Sequence, residues 1–156
     1  MPNLESQKYR ASIAGIFIKD NNEILLVQNN SFGVDEWDFP KGGMNLGEDE
    51  EDTLKREIQE ELGDKIKYSI IRASSCNIIY TWSKEKQARE GMRGQARISY
   101  WLKYIEGEIE IDTSEIRKFK WVPVTELEEV LKKSNWPLEI VEMLLFDLKN
   151  VITHPN

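Results

Sequence analysis

The sequence of 156 residues holds one cysteine and one histidine. Cys76 has no partner for an internal disulfide, and its place in the run SSCNIIY predicts a buried strand position. His154 stands near the end of the sequence. Zinc sites built from Cys and His are therefore excluded. A Ser–His–Asp or Cys–His arrangement would have to recruit that tail residue. Catalysis is left to carboxylates, Lys, Tyr or a metal held by oxygen. Long hydrophobic runs are also missing. The stretch 13–18 is far too short to cross a bilayer. The opening MPNLESQKYR has no apolar segment of the kind a signal peptide needs. A cytoplasmic protein without a membrane partner is expected. An excess of positive charge is missing too: the net charge of −7 argues against broad binding to duplex DNA.

Hydrophobic content of 40% and charged content of 31% describe a globular chain, expected to form one domain over residues 1–156. Residues 10–19 read as a strand, Asp20, Asn21 and Asn22 as a turn, and residues 23–28 as the returning strand. A helix is expected from near Asp49 to Gly63, and one long or two short strands over 66–82. The polar, glycine-containing stretch 83–94 reads as a loop. Residues 96–104 read as a strand with Ile98, Tyr100 and Leu102 on one face, and Ser99, Trp101 and Lys103 on the other. A short strand over 119–124 precedes a helix to about Lys133, capped by Thr125 with Glu128 closing a capping box. Asn135 is expected to cap the last helix, with Pro137 in its first turn. Leu138, Val141, Leu145 and Leu148 would form its core stripe. This order predicts an α/β or α+β domain.

The negative charge is concentrated. Residues 48–61 hold eight acidic and two basic residues, nearly the whole imbalance. They lie inside the stretch 42–64, GGMNLGEDEEDTLKREIQEELGD. On a helix turning about 100° per residue, Glu61 and Glu60 fall about +40° and −60° from Glu57. Leu54, Ile58 and Leu62 fall beside them, at roughly +60°, +100° and +140°. One stripe can face a core, and the next carries three carboxylates. Like charges so close oppose each other's ionisation. A divalent cation removes the conflict, and oxygen ligands select Mg²⁺, Mn²⁺ or Ca²⁺. Arg56 is placed to pair with Glu48 and to fix the loop against the helix.

These residues resemble the Nudix box, G-x5-E-x7-R-E-U-x-E-E-x-G-U, with U aliphatic. Every specified position fits except the last, where Asp64 stands and Ile66 is expected to supply the packing. The resemblance implies an α/β/α sandwich around a mixed sheet. It also implies Mg²⁺-dependent hydrolysis of a phosphoanhydride, with Mn²⁺ as an alternative metal. Glu57, Glu60 and Glu61 match the family's metal-binding positions, and the Lys41 carbonyl matches a further ligand. Gly42 and Gly43 would let the backbone approach phosphates. The general base of such enzymes is a box glutamate or a distant one, for which Glu115 is the candidate.

Three further segments resemble dinucleoside tetraphosphate hydrolases and RNA 5′-pyrophosphohydrolases. They are WDFPKGG, Tyr9-Arg10 before the first strand, and Gly94-Gln95 leading into SYWLKY. They imply a nucleotide or RNA 5′ end as partner, with Arg10, Lys41, Gly43 and Arg93 at the substrate. Over 84–97, Lys84, Lys86, Arg89, Arg93 and Arg97 outnumber Glu85 and Glu90. That segment would hold distal phosphates, and Tyr80, Trp82 or Tyr100 would stack on a base. The alternatives are MutT-like hydrolysis of nucleoside triphosphates and a Nudix-fold sensor without activity. The three box glutamates weigh against the sensor.

Overall fold

A computed structural model describes residues 8–154. The first seven residues, part of the stretch read above for a signal peptide, lie outside the described residues. Strands β1 (Tyr9–Ile18) and β2 (Glu23–Asn29) form the expected antiparallel hairpin, with Asn22 at φ 59° in its turn. Then come β3 (Lys41–Gly43), α1 (Glu50–Leu62), β4 (Lys67–Ala73), β5 (Ile78–Thr81), α2 (Lys84–Glu90), β6 (Gly94–Glu106), β7 (Ile116–Pro123), α3 (Val124–Lys133) and α4 (Leu138–Thr153). The main sheet runs β4-β6-β1-β2-β7, with β3 added to β1 and β5 to β6. β1 and β6 are parallel over ten paired residues, from Tyr9 opposite Gly94 to Ile18 opposite Lys103, and the other pairings are antiparallel. The sheet is therefore mixed.

Alternation along β1 builds two cores. Ile13 and Phe17 face α1, where they meet Leu54, Ile58, Leu62 and Ile66. Ala14, Ile16 and Ile18 face α3 and α4, where they meet Leu127, Leu131, Val141, Leu144, Leu148 and Val151. β6 splits the same way, Leu102 to the first core and Trp101 to the second. The result is the expected α/β/α sandwich. Ile66 packs where the box departs at Asp64.

The structure departs from the sequence pattern at several places. Residues 83–94 contain α2, which starts where the Ser83 hydroxyl accepts from the Lys86 N–H and ends at left-handed Gly91. It buries no residue, so no apolar periodicity marked it. Thr125 lies inside α3 and caps nothing. The helix follows Pro123 without a side-chain cap, and Val124 N–H donates instead to the Asn22 carbonyl at 2.9 Å. Asn135 ends α3 rather than starting α4. It sits at φ 61°, and Trp136 N–H returns to the Leu131 carbonyl at 3.1 Å, a Schellman closure. Leu138 is 54% exposed, so the α4 stripe is Val141, Leu144, Leu148 and Val151. Cys76 is buried, but in the β4–β5 connection rather than in a strand. Among the described residues no helix is long and apolar enough to cross a membrane.

Candidate active site

The site grows from the entry into α1. The box opens in the short strand β3, paired with β1 so that Gly43 lies opposite Ser12 and Lys41 opposite Ala14. β3 and β1 thus fix the two glycines beside α1. Asp49 caps α1, its carboxylate accepting the Asp52 N–H at 2.8 Å, and Asp52 answers toward the Asp49 N–H.

Arg56 is the organising cation. Its Nε and Nη2 take Glu48 at 2.7 and 2.9 Å, Nη2 also donates to the Gly43 carbonyl at 2.9 Å, and Nη1 reaches Glu57 at 2.7 Å. The expected Arg56–Glu48 pair is therefore present, and it ties β3 to the helix. The hydrogen bonds from Arg56 hold the Glu48 carboxyl down to about 2. Glu60 is more exposed and meets Arg56 at 3.3 Å.

Glu61 is the strained member. It is 6% exposed, and its Oε2 has no hydrogen-bond partner. Burial, then the charge of Glu57, then that of Glu115 push its carboxyl up to about 8, against a backbone hydrogen bond from Lys41. Burial also raises the Glu57 carboxyl; Arg56 opposes the rise, while Glu60 and Glu115 add to it. Glu115, far away in sequence, is thus close enough for both box glutamates to feel its charge. Gly42 is required here: a Cβ would stand 1.8 Å from the Glu57 carboxyl carbon. At Gly43 a Cβ would stand 2.3 Å from Nε of Arg10, so the Arg10 guanidinium lies flat on that backbone. Among the described residues no three His, Cys, Asp or Glu side chains already converge as a metal shell. Arg56 holds Glu57 and Glu60 instead.

A cavity of about 540 Å³ opens beside Lys41, lined among others by Phe32, Ile78, Tyr80, Trp136 and Ile140. Asp38 and Arg97 line it as well, joined by two hydrogen bonds of 2.9 and 3.0 Å. Burial opposes ionisation of Asp38, but Arg97 and Lys41 outweigh it and hold the carboxyl below its ordinary range. Arg97 is 4% exposed, so it is a buried partner of Asp38 and not part of a basic phosphate-holding loop. Of the three aromatics named for stacking, Tyr80 lines this cavity. Trp82 lies under Lys86, 4.5 Å from its ring, and Tyr100 hydrogen-bonds Glu50 at the start of α1. Arg93 precedes Gly94, which pairs with Tyr9, and its N–H donates to the Lys8 carbonyl, at the sheet end that carries Arg10. Phe32 and Trp136 were not singled out from the sequence. The available signal was a tryptophan inside the polar turn Ser134-Asn135-Trp136-Pro137.

The family model for the NUDIX domain matches residues 8–144. An RNA pyrophosphohydrolase from Nitratiruptor sp. is 30% identical over 132 residues, 80% of this chain and 84% of that protein. An RNA pyrophosphohydrolase from Zymomonas mobilis is 27% identical over 146 residues, 88% and 92% of the two chains. Among solved structures, a C. elegans Ap4A hydrolase in a binary complex superposes with TM-score 0.64 at 17% identity, over 91% of this chain and 98% of its own. That last likeness is one of fold.

Proposed function

The chain belongs to the NUDIX family of hydrolases, and from that premise we propose that it is a Mg²⁺-dependent pyrophosphohydrolase of 5′-triphosphorylated RNA, with dinucleoside polyphosphates such as diadenosine tetraphosphate as a second substrate class. The observation that carries the reading is Glu61. A buried carboxylate with an orphaned oxygen, pushed up by Glu57 and Glu115, is a site short of positive charge. The residues present fit a divalent cation: the donors are all oxygen, from Glu57, Glu60, Glu61 and the Lys41 carbonyl, as Mg²⁺ or Mn²⁺ requires. Glu57 and Glu60 would turn from Arg56 to join them, leaving Arg56 on Glu48. A cation held there supplies charge neutralisation for the anhydride oxygens and a more acidic water.

The chain's own residues do the rest. Glu115 accepts the proton of the attacking water. Arg10, flat on Gly43, faces the phosphate chain, and Arg93 extends positive charge from the same sheet end. The cavity takes the 5′ nucleoside, with the base against Tyr80 and Trp136. RNA is placed first because the two relatives described above, from Nitratiruptor sp. and Zymomonas mobilis, are RNA pyrophosphohydrolases matched along most of their length. The test offers purified protein, in Mg²⁺, a 5′-triphosphate RNA oligonucleotide and diadenosine tetraphosphate in parallel. RNA left with a 5′-monophosphate supports the reading. ATP plus AMP with the RNA untouched moves the assignment to dinucleotides, and neither product refutes it.

A further inference from the structure

The last carbonyls of a helix need donors from outside it, and α1 takes two of its donors from one distant segment. Glu110 N–H donates to the Leu62 carbonyl at 2.9 Å, and Asp112 N–H to the carbonyl of Glu61 itself at 3.1 Å. Gly63 admits that segment. It sits at φ +88°, and a Cβ there would stand 3.2 Å from both the Cβ and the carbonyl oxygen of Glu110. Beyond this contact the chain folds around Asp112. Its Oδ1 accepts the Ser114 N–H at 3.0 Å and the Ser114 hydroxyl at 2.7 Å. Its carbonyl accepts the N–H groups of Glu115 and Ile116 at 3.0 and 2.8 Å. On the far side Asn30 closes the turn, donating from its N–H to the Glu115 carbonyl at 2.8 Å and from its amide to the Thr113 carbonyl at 3.0 Å.

We propose that Asp112 is a positioning residue: its backbone N–H hangs the turn bearing Glu115 from the carbonyl of Glu61, and its carboxylate, by holding Ser114, keeps that turn in shape, so that the proton acceptor and the α1 carboxylates move as one piece. The proposal rests on the reading of Glu115 given above. An ordinary surface turn would affect stability alone. A positioning turn affects the chemical step, since small displacements of a reacting group are costly.

The test compares wild type, D112A, D112N and E115Q on 5′-triphosphate RNA, with diadenosine tetraphosphate in parallel. Asn keeps the Oδ1 acceptor and Ala removes it. D112A is expected to lose about tenfold in kcat with KM within about twofold, and D112N to recover to within about threefold of wild type. Amide exchange at Glu115 and Ile116 should quicken in D112A and not in D112N. Wild-type kcat in D112A, or a loss that D112N does not rescue, overturns the proposal alone when E115Q is inactive. A fully active E115Q overturns the assignment of Glu115 and this proposal with it.

Discussion

Replacing Glu61 by Gln should damage the activity of the protein and strengthen its metal-free fold. The ordinary value for this carboxyl is 4.5, and in the folded protein it is pushed up to about 8 by burial and by Glu57 and Glu115. A raised value means that the folded state holds the proton more tightly than the unfolded one. The group therefore costs nothing below about pH 4.5, costs more as pH rises through the window, and reaches its full cost above about pH 8. At pH 7 the gap from the ordinary value corresponds to roughly 3 kcal/mol. Gln keeps the shape and carries no charge. In EDTA the E61Q protein should melt roughly 6–10 °C above wild type at pH 7. The advantage should shrink to under about 1 kcal/mol at pH 5. Mg²⁺ should raise the melting temperature of wild type and close the gap. Hydrolysis should fall at least about 100-fold, because an oxygen ligand is lost. The assay is thermal unfolding by circular dichroism across this pH range, with and without Mg²⁺. An E61Q protein that melts at or below wild type at pH 7, or whose advantage does not grow with pH, refutes the reasoning.

Three other changes have expected outcomes. G42A puts a Cβ 1.8 Å from the Glu57 carboxyl carbon, so Glu57 must leave its place; kcat should drop about 100-fold in a steady-state assay, while the far-ultraviolet spectrum is unchanged. R97A takes two hydrogen bonds from buried Asp38 and leaves it Lys41 at 3.4 Å; it should cost about 3 kcal/mol in urea unfolding, a loss that D38N/R97A partly recovers. W136A removes one wall of the cavity and should raise KM about tenfold with little change in kcat, measured on the better of the two substrates.

The sequence carried the parts of this structure that repeat a period or a fixed spacing. Alternation in β1 and the helical stripe of α1 follow from burial on two faces of one sheet, and the spacing within the box is enough to pair Glu48 with Arg56. Glu115 is marked in the sequence only through resemblance. What brings it to Glu57 and Glu61 is the set of hydrogen bonds from residues 110–116 and Asn30, and backbone bonds leave no mark in side-chain pattern. Arg97 reads as one more cation of a segment that also holds exposed Lys84 and Arg89, and the β1–β6 register turns it inward to Asp38. The N-cap readings of Thr125 and Asn135 fail for a common reason. A hydroxyl or amide beside a helix end fits either side of the boundary, and tertiary contacts at Asn22 and Leu131 decide which.

The central claim is that the α1 carboxylates and Glu115 form a metal-dependent centre for phosphoanhydride hydrolysis. Its most direct test is the Mg²⁺ dependence of phosphate or pyrophosphate release from a 5′-triphosphate RNA oligonucleotide, by wild type and by E57Q. The account predicts release by wild type that saturates with millimolar Mg²⁺, stops in EDTA, and falls at least about 100-fold in E57Q. Release that continues in EDTA, or that E57Q supports at the wild-type rate, contradicts it.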